Sequence, residues 1–115
     1  MMRECEMIRV FALKTCDTCR RALAELRAAG HDVEVVDVRA DGLSPEEIGE
    51  FHAAFGAALV NRRSNTWRGL SDEQRQRDPR ALLADFPTLM KRPVIRARGR
   101  LFLGWGAETK KALLG

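Results

Sequence analysis

The first third of the chain fits a strand, a helix and a second strand into about 30 residues, and this limits the possible folds more than any other feature. The stretch MIRVFAL, residues 7–13, alternates around Arg9 and is rich in strand formers, which predicts a buried strand. CDTCRRALAELRAAG follows with helical spacing. Cys19, Ala22, Leu23, Leu26 and Ala29 share one face, while Arg21, Ala24, Glu25 and Ala28 lie away from it. Gly30 supplies a C-terminal stop. HDVEVVDV, residues 31–38, then predicts the second strand. A unit of this length joins two parallel strands by a right-handed crossover.

A second helix is predicted from RADGLSPEEIGEFHAAFG, with Ser44 as cap, Pro45 in the first turn and Glu47 completing a capping box. Ile48, Phe51 and Phe55 form its inner face. Residues 57–91 have few breakers and mixed polarity, which predicts short helices around an irregular loop, one of them ending near Pro87. RPVIRARGRLFLGW predicts a hairpin: Val94 to Ala97, a turn at Arg98–Gly99, then Arg100 to Leu103. GAETKKALLG predicts a closing helix. A parallel start with an antiparallel hairpin is the plan of a thioredoxin-like α/β domain. The expected organisation is one domain over residues 1–115, with residues 1–6 as a tail.

Composition narrows the function classes. Hydrophobic residues make up 45% and charged residues 31%, as in ordinary globular proteins. No apolar run approaches a membrane span, and MMRECEMIRV lacks the core of a signal peptide, so the expected location is cytoplasmic with no membrane partner. Three cysteines fit a reducing compartment better than a disulfide scaffold. The 20 Lys and Arg give a formal charge of +4 but are scattered from Arg3 to Lys111. Without a basic stripe or an aromatic ladder, no direct nucleic-acid binding is expected. A moderate positive field does attract small anions such as glutathione or oxyanions. The chain is expected to act as a monomer.

The chemistry lies in KTCDTCRRAL, residues 14–23. Cys16 falls just before the predicted helix, where unsatisfied N–H groups and about half a positive charge stabilise a thiolate. Lys14 adds a cation nearby and Asp17 opposes it. Cys19, one turn in, faces the apolar side with Leu23. An exposed, activated thiol backed by a shielded one divides the work between attack and resolution. Two other readings stay open. A zinc site would need Cys5, His31, His52 or carboxylates, in a chain with no second C-x-x-C and no H-x-x-x-H. Alternatively, Cys19 is a small core residue and Cys16 a chance surface thiol. No bound metal is expected. Cys5 lacks a helix end or basic cluster, and His31, His52, Arg20 and Arg21 are read as surface residues.

Three segments carry a resemblance to the arsenate reductase-like proteins, a family that includes the Spx-type regulators. FALKTCDTCRRAL resembles the family's strand, loop and catalytic cysteine, in C-x-x-x-(K/R)-A context, and maps that cysteine to Cys16. ALVNRRSNTWRGL resembles a segment that places an arginine at Arg63. LMKRPVI resembles one that places a second arginine at Arg92, before a cis-proline at Pro93. Together they run from about Met7 to Leu114.

The resemblance implies a thioredoxin-like fold with a helical insertion between the second and third strands. It also implies a thiol-dependent oxidoreductase, linked to glutathione or to glutaredoxin- or thioredoxin-type donors and holding no resident cofactor. Cys16 would then be the nucleophile and Cys19 the resolving thiol, with Lys14, Arg63, Arg92 and Pro93 around the anion. The family's last-strand arginine has no counterpart, since that place reads Leu103–Gly104. In this respect LFLGW is more similar to the YffB-like branch than to true arsenate reductases. The alternative implied is an Spx-type redox switch through Cys16 and Cys19 that binds RNA polymerase.

Overall fold

The computed structural model describes residues 7–14, 16–97 and 99–114. Cys5, the expected tail and the Arg98 half of the hairpin turn lie outside the described residues. The described chain divides into two compact units. One is formed by the segments ending at Asp37 and beginning at Arg92, the other by Val38–Lys91.

The first unit is built on a four-stranded sheet of β1 (Met7–Ala12), β2 (Asp32–Asp37), β3 (Val94–Ala97) and β4 (Arg100–Leu103), in the order β2-β1-β3-β4. β1 and β2 are parallel, with Ile8 opposite Val33 and Val10 opposite Val35. β3 runs antiparallel to both β1 and β4. Helices α1 (Asp17–Ala28) and, at the end of the chain, Ala107–Leu114 contribute to one core. There Ile8, Val10, Ala12, Ile95 and Ala97 of the sheet meet Cys19, Ala22 and Leu26 of α1, with Trp105 and Leu113. This order and polarity make the thioredoxin-like fold, with Val38–Lys91 inserted between β2 and β3.

α1 ends in a Schellman motif. His31 N–H donates to Leu26 O at 3.2 Å and Gly30 N–H to Arg27 O at 3.0 Å. Gly30 sits at φ 91, a conformation side-chain-bearing residues rarely adopt. The helix therefore stops at Ala28, and Ala29, predicted on the inner face, is exposed. Glu25, predicted on the outer face, is half-buried and accepts from Trp105 Nε1 at 3.1 Å. His31 is likewise not a bare surface residue, since its Nε2 donates to Leu113 O at 2.9 Å.

The inserted unit contains α2 (Val38–Asp41), α3 (Pro45–Phe55), α4 (Asn65–Arg68), α5 (Asp72–Arg75) and α6 (Pro79–Asp85), with 3-10 turns at Gly56–Leu59 and Pro87–Leu89. Ala107–Leu114 is α7. Val38, predicted to end β2, instead opens α2. The capping box of α3 forms as predicted: Glu47 N–H donates to Ser44 Oγ, and Ser44 N–H to Glu47 Oε1. Ile48 and Phe51 are buried. An antiparallel bridge joins Val60 to Met90, flanked by Lys91 N–H to Leu59 O at 2.7 Å and Asn61 N–H to Leu89 O at 2.8 Å. No helix among the described residues is long and apolar enough to cross a membrane.

Candidate active site

Cys16 is the N-cap residue of α1, with extended backbone angles and no side-chain cap bond. Its N–H donates to Leu13 O at 3.2 Å, so the chain turns sharply between β1 and α1. Its own carbonyl starts the helix by accepting from Arg20 N–H at 3.0 Å. The side chain is therefore held at the positive end of a twelve-residue helix, half-buried. Cys19 lies one turn further on and is fully buried among Ala22, Leu26 and Trp105. Both thiols are free.

Arg92 comes from the other end of the chain. β3 pairs with β1 as far as Phe11–Val94, and Arg92, two residues before β3, lies close enough to Cys16 to hydrogen-bond with it and act on it by charge. The Arg92–Pro93 peptide is cis, as the LMKRPVI segment predicts, and Pro93 is buried. Arg92 is half-buried. Gly104, after β4, is buried at φ 81 and donates its N–H to Pro93 O at 2.7 Å. Where the resemblance places a last-strand arginine the chain has Leu103–Gly104, and the Gly104 amide is fastened to the proline loop.

These neighbours set the two thiols apart. At Cys16 burial pushes the pKa up and is the largest single influence. Hydrogen bonds from the Cys19 backbone and side chain, together with the charge and hydrogen bond of Arg92, outweigh it and hold the thiol below its ordinary 9.0. At Cys19 burial dominates, and the neighbouring Cys16 sulfur adds to it. A backbone hydrogen bond from Leu13 and the charge of Arg92 oppose them, and the thiol is pushed up to about 12. Cys16 is thus the easier of the two thiols to ionise, while Cys19 holds its proton more firmly.

Of the residues expected at the site, the structure brings together Cys16, Cys19 and Arg92, with Pro93 next to Arg92 in the chain. Lys14 is exposed in the loop, and Arg92 rather than Lys14 is the cation acting on Cys16. Arg20, read from sequence as a surface residue, is exposed but has a structural bond: its Nε donates to Lys14 O at 2.8 Å, bracing the loop from the helix side. Helical periodicity carries no signal for that contact, because the acceptor lies outside the helix. Arg63 belongs to the inserted unit, where it is exposed and donates its N–H to Asn61 Oδ1 at 3.0 Å. No group of three or more His, Cys, Asp or Glu side chains gathers as a metal site among the described residues.

Comparison with known proteins agrees with this fold. An uncharacterized protein of Haemophilus influenzae is 36% identical over 113 residues, covering 92% of this chain and 97% of that one. Among solved structures, the YffB protein superposes with a TM-score of 0.85 at 26% identity, covering 94% of this chain and 99% of its own. An arsenate reductase (ArsC) related protein from Brucella melitensis gives a TM-score of 0.71 at 29% identity, covering 92% of each chain. The family model of ArsC matches residues 11–113, which takes in the Cys16 loop, the insertion and the Arg92–Pro93 turn. The chain belongs to the ArsC family.

Proposed function

We propose that this protein is a thiol-disulfide oxidoreductase in which Cys16 attacks and Cys19 resolves. The observation that carries the reading is the pairing of opposite thiol states at one helix end, Cys16 below its ordinary value and Cys19 well above. In the first step the Cys16 thiolate attacks one sulfur of a substrate disulfide. A Cys16–substrate disulfide forms as the old S–S bond breaks, and the second substrate sulfur leaves with the electron pair and takes a proton from solvent. This step removes the negative charge from Cys16. Because that sulfur helps keep Cys19 protonated, the Cys19 pKa falls at the moment its thiolate is needed. Cys19 gives its proton to the leaving sulfur and attacks Cys16, which closes a Cys16–Cys19 disulfide and releases the second thiol. The substrate gains two electrons, and glutathione or a glutaredoxin- or thioredoxin-type dithiol restores the pair.

Arg92 stabilises the thiolate and presents a guanidinium to an anionic group beside the reacting sulfur, such as a glutathione carboxylate. Arsenate is the weaker substrate candidate, because Leu103–Gly104 stands where the resemblance places a further arginine. Turnover of a small disulfide with glutathione as donor is the test. Cys16→Ser should abolish it, and Cys19→Ser should accumulate a mixed disulfide visible by intact mass. Full turnover in Cys16→Ser would sink the proposal. A second reading, an Spx-type redox switch, is favoured by the same Cys16–Cys19 hydrogen bond. It predicts a Cys16–Cys19 disulfide that changes affinity for an RNA polymerase subunit, with negligible turnover.

A further inference from the structure

Two hydrogen bonds outside the reacting groups tie the Cys16 helix to the turn that carries Arg92. The first joins α1 to the segment after β4: Trp105 Nε1 donates to Glu25 Oε2 at 3.1 Å. The second joins that segment to the turn before β3: Gly104 N–H donates to Pro93 O at 2.7 Å. Gly104 and Trp105 are consecutive, and so are Arg92 and Pro93. The path therefore runs from Glu25 through Trp105, Gly104 and Pro93 to Arg92. Arg92 acts on Cys16, at the start of the helix that also carries Glu25. Every residue on the path belongs to the same compact unit.

Each link holds one position. Trp105 is buried and shares a core cluster with Cys19, Ala22, Leu26 and Leu113. A buried indole N–H needs an acceptor. Glu25 supplies a charged one, which makes the bond stronger than a neutral pair. Gly104 is buried at φ 81, a conformation glycine takes at little cost, and its amide is bonded to Pro93. The charged or titratable groups that act on Cys16 are Cys19 and Arg92. Asp17 and Arg20, near them on α1, pair with each other at 3.8 Å, and Lys14 is exposed.

We propose that Glu25 and Trp105 are positioning residues for Cys16: their hydrogen bond holds the Gly104–Trp105 segment against α1, and the Gly104 amide in turn holds the Pro93 carbonyl and keeps the Arg92 guanidinium at the helix end. Loosening the bond lets the turn relax away from Cys16. The cation's hold on the thiolate then weakens, since Coulomb attraction and hydrogen bonding both fall with distance. The sign of the effect separates this role from a direct electrostatic one. A carboxylate acting on Cys16 by charge disfavours the thiolate, so its removal would move ionisation to lower pH. Glu25 stands roughly 13 Å from Cys16 along the helix axis, beyond the screening length of about 8 Å at physiological salt. Removing its charge therefore leaves the loss of positioning as the larger effect. The inference rests on the proposed function for its bearing on turnover, since Cys16 is the nucleophile of that reading.

The test is the pH profile of iodoacetamide alkylation, followed at the Cys16 peptide by mass spectrometry. Trp105→Phe keeps a ring in the cluster and removes the N–H, while Glu25→Ala removes the acceptor. Each should raise the midpoint by about half a pH unit, which slows alkylation at neutral pH about threefold. Glu25→Gln keeps an acceptor oxygen and should stay at the native profile. In an Arg92→Ala background Trp105→Phe should add no further shift, because the path ends at Arg92. Three results overturn the inference. One is an unmoved profile in both Trp105→Phe and Glu25→Ala, even with a lowered unfolding midpoint, the mark of a merely structural role. The second is a shift to lower pH in Glu25→Ala. The third is full additivity of Trp105→Phe and Arg92→Ala. Alkylation needs no turnover, so these shifts in a chain that reduces no disulfide would sink the proposed function and leave the positioning role standing.

Discussion

At Cys16 the positive end of α1, the Cys19 hydrogen bonds and the Arg92 guanidinium act in the same direction against burial. Arg92 is the partner that can be removed without touching the helix or the dithiol. Arg92→Ala should move the pH profile of Cys16 alkylation to higher pH and slow the reaction at neutral pH severalfold, because a cation beside a thiolate favours the ionised form. Arg92→Lys should recover part of the rate, with less directional hydrogen bonding. Iodoacetamide kinetics across pH measure both, and an unmoved profile would assign the activation to the helix end and Cys19 alone. The contributors differ in how visible they are in the chain. Cys16 and Cys19 declare their relation by spacing, since three residues along a helix put the second sulfur one turn behind the first. Arg92 declares itself only through resemblance, because it stands far along the chain from Cys16 and reaches it only in the folded protein.

The helices show the same division between local and distant information. Ser44, Pro45 and Glu47 mark the start of α3 in the bare sequence, because a capping box is closed within four residues. Ser44→Ala should cost about 1 kcal/mol of stability in denaturant unfolding. Gly30 marks the end of α1 for a similarly local reason. The Glu25–Trp105 and His31–Leu113 bonds join residues some eighty positions apart, so periodicity assigns Glu25 to the outer face and His31 to the surface. The segment between β4 and α7 has a positive-φ position of its own at Gly104. Nothing stands within 4 Å of a Cβ built there, so Gly104→Ala isolates the backbone cost. It should destabilise by roughly 1–2 kcal/mol, read as a lower denaturant midpoint.

Over the whole chain, the order strand, helix, strand, helices, hairpin, helix is legible because each element satisfies its own pattern over four to twelve residues. The division of the insertion into four-residue helices is not, since helices that short depend on packing rather than on propensity. The coupling of the thiols to stability also belongs to this scale. Between pH 9.0 and about 12 the folded chain keeps the Cys19 proton that an unfolded chain releases, so stability must fall as pH rises through that window. Cys16 has the opposite sign: its folded value is depressed, so it adds stability as pH rises toward 9.0 and holds it above. Unfolding midpoints at stepped alkaline pH, under a phosphine reductant, should decline more steeply in the native chain than in Cys19→Ala. Trp105 bears on the same pair. Its indole is only 8% exposed and shares a cluster with Cys19, against which Cys16 also packs. The chain has only one other tryptophan, Trp67, in the inserted unit. With Trp67→Phe, the protein becomes a single-fluorophore gauge of its own dithiol, and its emission can follow oxidation of Cys16 and Cys19 in real time without a label.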